Sequence, residues 1–315
     1  MACPCERPAI GTHEAEGREM QISAVIPTYN RADLVRRAIQ SALSQTLAPA
    51  EILVVDDGST DDTRSVVESF GLPVRWLYQK NAGVATARNT GADAASSDWV
   101  AFLDSDDVWA PDHLERIGAA ITATDGGALI YFDDLRQNGV ESSWWERSDF
   151  EVAWPFELRE DPADWFMRPL QPMTIQAAVI SKDAYWRVGG QPLHCREETH
   201  QFFALGFTGP ACAVAGTGAM QSDDADVRIT DAGSANLTYC LGTIAMYGEL
   251  LRRYRSIGRR HKAELRRRLG HAYCHRAGLS AADGAFGECA GFLARCLVTS
   301  PSTLVEKARA RVAYI

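Results

Sequence analysis

VAFLDSDDVWAPDHL, from Val100 to Leu114, is the stretch on which the fold turns. Its apolar start reads as a buried strand, and that strand runs straight into Asp104, Ser105, Asp106 and Asp107. A helix start follows, with Pro111 at its first position and Asp112 in its first turn. Three carboxylates at the end of a buried strand repel one another and lose solvation; a divalent cation relieves both costs. Oxygen ligands at i and i+2 suit Mg²⁺ or Mn²⁺, ions that also keep waters and substrate phosphates around them. The stretch therefore predicts a metal–diphosphate site at a strand end. Its bland counterpart is an acidic loop with a helix cap.

Upstream, EILVVDDGSTDDT (Glu51 to Thr63) shows the same pattern. Ile52 to Val55 is a short β-branched run, as expected of a parallel strand buried on both faces. Gly58 permits the turn, and Ser59, Thr60 or Asp61 caps a helix that ends near Phe70, before Gly71. Farther upstream, Ile22 to Ile26 reads as another strand, ending in Pro27, Thr28, Tyr29 and Asn30. Behind it Leu34, Val35, Ala38, Ile39, Ala42 and Leu43 form a helical stripe. Ligands of an open parallel sheet sit beyond the carboxyl ends of its strands. Acidic ends gathered on one rim thus predict an α/β protein with a nucleotide site. Tyr29 either stacks on a base or covers the sheet edge.

AVIPTYNRADLVRRAIQSALSQT, EILVVDDGSTDDT and NAGVATARNTGADAASSDWVAFLDSDDVWAPDHLE resemble, in this order, the nucleotide-binding half of a family-2 inverting glycosyltransferase. The resemblance runs unbroken from about Ile22 to Glu115 and more weakly to about Gly209. It implies the GT-A fold: a Rossmann-like, mostly parallel mixed sheet flanked by helices, here with a helical C-terminal extension. It also implies that Pro27 and Tyr29 line a base pocket, and that Asp57 hydrogen-bonds the base with Asp56 beside it. Asn81, Gly83 and Arg88 would lie near the nucleotide and diphosphate. Asp104 and Asp106 would be the DxD pair. Asp104, with Ser105, faces the ribose side; Asp106 is the foremost ligand of Mn²⁺ or Mg²⁺, with Asp104 as the other. Asp107 would assist through water or through the following helix.

The chemistry of such a transfer agrees with these residue types. A departing diphosphate gains charge that a cation and an arginine stabilise. Inversion needs a base to take the proton of the attacking hydroxyl. The family keeps this base in an acidic pair beyond a Gly-Gly turn. Here the turn is Val188-Gly189-Gly190, and the pair is Glu197-Glu198 in CREETHQFFALG. Glu stands at the second position where the family has Asp, which moves the carboxylate by about 1.5 Å; displacements of that order matter for a base. Glu198 is the expected base and Glu197 the alternative. Otherwise the pair is simply an acidic helix N-terminus.

At 315 residues and 46% hydrophobic content, one large domain with a smaller appendage is expected. The divisions are a tail at 1–19, a donor half at 20–125, an acceptor half at 126–232 that holds the base, and a helical region at 233–315. A net charge of −9 argues against general nucleic-acid binding. The eight cysteines form no CxxC pair, so reduced thiols are expected. Cys3 and Cys5 sit in a polar start that lacks an apolar signal core. No run approaches the roughly 18 apolar residues of a membrane span. A cytoplasmic enzyme is the expectation.

In the acceptor half, ALIYFDD reads as a strand. MTIQAAVIS reads as another, with Thr174 and Gln176 facing the acceptor. Trp144, Trp145, Trp154 and Trp165 either stack on sugar faces or fill the core. Farther on, Leu250, Tyr254, Ile257, His261, Leu265 and Leu269 recur at helical spacing among many arginines. That basic helix either lies on anionic lipid, at the inner membrane face, or packs on the catalytic domain. His271 and His275 flank Cys274 as ordinary helix residues or as a metal site. Asp223, Asp224 and Asp226, before Arg228, mark an active-site loop or a solvated one.

The sequence thus predicts a metal-dependent inverting transfer from a nucleotide-diphosphate donor, a UDP-sugar first. The acceptor is a sugar, lipid-linked or other hydroxyl, in cell-surface polysaccharide or glycoconjugate synthesis. A nucleotide-sugar-binding scaffold without catalysis is the alternative, suggested by the glutamate at 198. A nucleotidyltransferase would need a glycine- and lysine-rich triphosphate loop, which PTYNRAD does not supply.

Overall fold

A computed structural model describes residues 20–192, 197–222 and 237–312. The tail at 1–19 and the cluster at Asp223, Asp224 and Asp226 lie outside the described residues. The first half alternates strands and helices: β1 (Ile22–Thr28), α1 (Ala32–Leu43), β2 (Glu51–Asp56), α2 (Thr63–Glu68), β3 (Val74–Tyr78), α3 (Val84–Ala94) and β4 (Trp99–Phe102). These strands lie in the order β3-β2-β1-β4, all parallel. Every residue of β1 and β2 is buried, which is why both read as nearly continuous apolar runs.

Side chains leave a strand on alternate faces. Ile22, Ala24, Ile26, Ile52 and Val54 pack with Val35, Ala38 and Ile39 of α1, while Val25, Leu53 and Val55 pack with Ala87 and Ala92 of α3. Gly91 lets α3 come this close: a Cβ there would lie 2.3 Å from Val25 Cγ1.

The second half crosses the sheet. It comprises β5 (Asp107–Trp109), α4 (His113–Ala123), β6 (Ile130–Gln137), α5 (Trp144–Arg147), β7 (Phe156–Arg159) and α6 (Ala163–Phe166). A 3₁₀ turn at Ile175–Ala177, β8 (Ala178–Ser181), α7 (Lys182–Arg187), α8 (Glu197–Gly206) and β9 (Ala211–Gln221) complete it. The strand order continues β4-β8-β6-β9-β5, with β7 also on β9. β8 runs antiparallel to β4 and β6, β9 parallel to β6, and β5 and β7 antiparallel to β9. The expected α/β architecture, a mixed sheet flanked by helices, is present.

Four local readings change. The helix after β2 starts at Thr63 with Asp62 at its N-cap, in place of Ser59, Thr60 or Asp61. The helix after the acidic stretch starts at His113 with Asp112 as its N-cap, so Pro111 lies outside it. The cause is β9, whose Ala219 to Gln221 draw Asp107 to Trp109 into a strand. MTIQAAVIS is extended only from Ala178, because Ile175 to Ala177 turn. Among the tryptophans, Trp145 and Trp165 are core, and Trp144 donates its indole N–H to the Gln171 carbonyl. Trp154 is 80% exposed.

Four helices end the described chain: α9 (Leu237–Arg253), α10 (Arg259–Ala282), α11 (Phe286–Thr299) and α12 (Pro301–Val312). Met246, Tyr247 and Leu250 of α9 and Leu265 and Leu269 of α10 join the core on the face that also carries α3 and α8. The expected single basic helix is two, because the chain leaves the helix between Arg253 and Arg259, and the apolar side of each is packed on the body of the protein. His271 meets Glu306 at 3.3 Å. Among the described residues no group of three His, Cys, Asp or Glu side chains is placed to hold a metal. No described helix is long and apolar enough to cross a membrane.

Candidate active site

The carboxyl ends of β1, β2 and β4 share one rim. At the end of β2, Asp56 is 1% and Asp57 5% exposed. Asp56 accepts from the Ser59 backbone N–H and from the Trp76 indole N–H of β3. Asp57 accepts from Gln79 Nε2 at 2.7 Å and from the Ala82 and Gly83 backbone N–H groups, each at 2.8 Å. Asp57 thereby ties the end of β2 to the loop that opens α3, where Gly83 turns with φ +90. Asn30, with φ +50, accepts from the Thr60 N–H and donates its own N–H to Ser59 Oγ. Around this knot Tyr29 is 48% exposed, and Asn81 and Gly83 face solvent, while Pro27 is buried.

Beyond β4 the pattern is different. Arg88 of α3 is a fully buried guanidinium. It donates to Asp104 Oδ1 at 2.5 Å, to Glu198 Oε1 at 2.8 Å and to Gln191 Oε1 at 3.2 Å. One cation thus joins Asp104 to Glu198 at the start of α8, which lies 110 residues after Arg88 in the sequence. Ser105 is buried, whereas Asp104 and Asp106 stay partly accessible, and Asp106 meets Arg31 at 3.0 Å. Asp107 is 2% exposed and accepts from Gln176 Nε2 at 2.9 Å and the Ser222 N–H at 3.3 Å.

The electrostatics follow from these positions. Burial and the charges of Asp104 and Asp106 hold the Asp107 carboxyl well above the ordinary carboxylate range. Loss of solvent and the nearby Asp104 and Glu197 push Glu198 up to about 7, against the pull of Arg88. Asp104 and Glu198 together hold Arg88 in its charged form despite its burial.

Asp104 and Asp106 are hard oxygen donors in a loop whose negative charge Arg88 and Arg31 only partly offset. This donor set fits Mg²⁺ or Mn²⁺, which bind through one or two carboxylates plus substrate phosphates and water. Asp106 and Asp104 are the residues that would hold the ion.

Several contributors carry no signal of their own in the sequence. Asn89 accepts from Tyr185 Oη at 2.7 Å and the Gln191 N–H at 2.9 Å, and donates to the Gln191 carbonyl. It clamps the turn at Gly189 and Gly190, both at positive φ, and so aims Gln191 at Arg88. Gln176, expected to face the acceptor, is buried and donates to Asp107, 69 residues away, and Gln191 reaches Arg88 across 103 residues. Asn89 stands beside Arg88 in the quoted ATARN segment, the one clue the sequence held.

The model of the family described as Glycosyl transferase family 2 matches residues 23–189 of this chain. Succinoglycan biosynthesis protein ExoO of Rhizobium meliloti is 42% identical over 116 residues, covering 36% of this chain and 33% of that protein. The chain spans about a third of the length of the first curated relatives it matches. Among solved structures, S. aureus TarS 1-349 in complex with UDP-GlcNAc superposes with a TM-score of 0.61 at 17% identity, over 84% of this chain and 75% of that one. The mannosyltransferase PcManGT from Pyrobaculum calidifontis, in complex with GDP-Man and Mn²⁺, gives 0.55 at 19% identity, over 95% and 82%. These likenesses establish the GT-A fold.

Proposed function

The chain belongs to glycosyl transferase family 2, and from that premise we propose that it moves a sugar, with inversion, from a nucleoside-diphosphate donor to an acceptor hydroxyl. The observation that carries this reading is Arg88. It bonds both Asp104, on the donor rim, and Glu198, so an acid of the donor site and the candidate base are held by one buried cation.

Residues 20–125 hold the donor. Tyr29 and Pro27 flank the base, and Asp57, with Asp56 beside it, keeps the Asn81 to Gly83 loop against the nucleotide. Asp106 and Asp104 hold Mn²⁺ or Mg²⁺, which offsets the charge of the departing diphosphate when bound. Residues 126–232 hold the acceptor. Glu198 takes the hydroxyl proton as the hydroxyl attacks the anomeric carbon, with Glu197 as the alternative. A carboxylate raised to about 7 is matched to that task at neutral pH. Arg88 fixes the direction of the Glu198 carboxylate and stays protonated throughout.

A UDP-sugar is the first donor to test. The TarS complex with UDP-GlcNAc supports that choice, and the GDP-Man complex of PcManGT makes the GDP-sugar its rival. The likeness to a succinoglycan biosynthesis protein supports a place in polysaccharide synthesis; the acceptor proposed with it is a sugar or lipid-linked hydroxyl on the cytoplasmic side of the membrane. A panel of UDP- and GDP-sugars with Mn²⁺ tests this. The expected result is one donor that raises the melting temperature and releases its nucleoside diphosphate. Stabilisation by a donor without any turnover would establish the scaffold instead. No stabilisation by any donor would reject the nucleotide site.

A further inference from the structure

The last two helices present a surface that the transfer chemistry does not use. In α11, Phe286, Ala290, Leu293, Ala294, Leu297 and Val298 recur at helical spacing on the side away from α10, and all six are exposed. Phe286 is 73%, Leu297 55% and Val298 86% exposed. Cys296 is the one fully buried residue of this helix. Val305 of α12 adds another half-exposed apolar side chain. A helix apolar on its outer face as well as its inner one is covered by something, and nothing among the described residues covers it.

Charge identifies the occupant. Residues 234–315 hold fourteen Lys and Arg against five Asp and Glu, whereas residues 1–233 hold eighteen against thirty-six. The helical region is therefore strongly cationic on an acidic protein. Past Val298 in the chain, Thr299, Ser300 and Ser302 line a cavity of about 810 Å³ together with Arg168, Arg260, Arg266 and Arg267, and with Asp164 and Glu264 as its two carboxylates. Arg267 is engaged by Glu264, and Arg260 lies 3.5 Å from Asp164; Arg266 is exposed and makes no ion pair among the described residues. An apolar stripe that ends in a basic pocket matches the cross-section of an anionic bilayer surface, acyl chains beside phosphate headgroups. A second copy docked through the same face would set two cationic regions against each other.

We infer that α11 is a membrane-docking helix: its outer face enters the interface of an anionic bilayer while the Arg260–Arg266 pocket receives headgroup phosphates. This moves the membrane contact from the arginine-rich α10, whose apolar side is packed on the body, to the helix beside it. It does not depend on which sugar is transferred.

The test is flotation of the full chain with vesicles of phosphatidylcholine alone or mixed with phosphatidylglycerol. The protein should float with the anionic vesicles at low salt, stay behind with the neutral ones, and be released by high salt. Joint Leu297→Glu and Val298→Glu substitution, at exposed positions, should weaken flotation at least about tenfold with the melting temperature unchanged. Arg260→Glu with Arg266→Glu should weaken it without touching the apolar stripe. Failure of the wild type to float with anionic vesicles would overturn the inference, as would full binding by the Leu297/Val298 variant. So would a wild-type dimer that the same variant splits into monomers, since the face would then belong to a second copy.

Discussion

Two strand ends of this molecule look alike in sequence and behave differently in space. VVDDGS at the end of β2 and FLDSDD at the end of β4 both turn from apolar to acidic. The first is answered by neutral donors: backbone N–H groups of Ser59, Ala82 and Gly83, the Trp76 indole and the Gln79 amide. The second is answered by arginines, Arg88 and Arg31, and still leaves Asp107 pushed above its ordinary range. Carboxylates satisfied by the backbone hold loops in place. Carboxylates crowded together and met by bridging or partly exposed charge are poised for something that arrives. An acidic motif is therefore a framework or a site according to what neutralises it.

The strongest way to sharpen this contrast is Glu198, the group that Arg88 joins to the second end. Glu198→Gln keeps an oxygen for Arg88 and loses the proton acceptor, so transfer should fall roughly 10²–10⁴-fold with UDP affinity little changed. The wild-type rate should climb as pH rises through about 7, where the carboxyl ionises, and the variant should lose that limb. A variant with wild-type rate would detach the base from Arg88. Next, Asp106→Asn should weaken Mn²⁺-dependent UDP binding at least about tenfold, or ~1.4 kcal/mol, measured by calorimetry. Its melting temperature should barely move, because a partly exposed pair with Arg31 contributes at most about 1 kcal/mol. Asp57→Asn reverses the balance: its three donors lose a buried, charged acceptor, and urea denaturation should register a loss of about 1–3 kcal/mol. Equal stability losses for the Asp57 and Asp106 variants would erase the distinction. Smallest of all, Trp154→Ala should change stability by no more than about 0.5 kcal/mol, since the ring is exposed.

What could be read in advance follows the same division. β1, β2 and β4 announce themselves because burial on both faces leaves mostly apolar side chains along them. The start of α4 was misplaced because β5 exists through pairing with β9, more than 100 residues downstream. Gln176, Asn89 and Gln191 act through partners that no local spacing encodes. The arginine run drew attention to α10, whose apolar positions are spent on the core. The outer stripe of α11, from Phe286 to Val298, has the same helical spacing as a core stripe, and spacing alone does not tell an outer face from an inner one.

Gly91 gives the architecture its least forgiving position. It lies one helical turn after Arg88 on the same helix, with two valine side chains where any methyl would go. The freedom of that position to vary is thus set by chemistry three residues away. A saturation library at 91 should yield no functional replacement, alanine included, and its members should fail as Arg88 variants fail. Tolerance to mutation here is governed by sterics, although the quantity being protected is the placement of a charge.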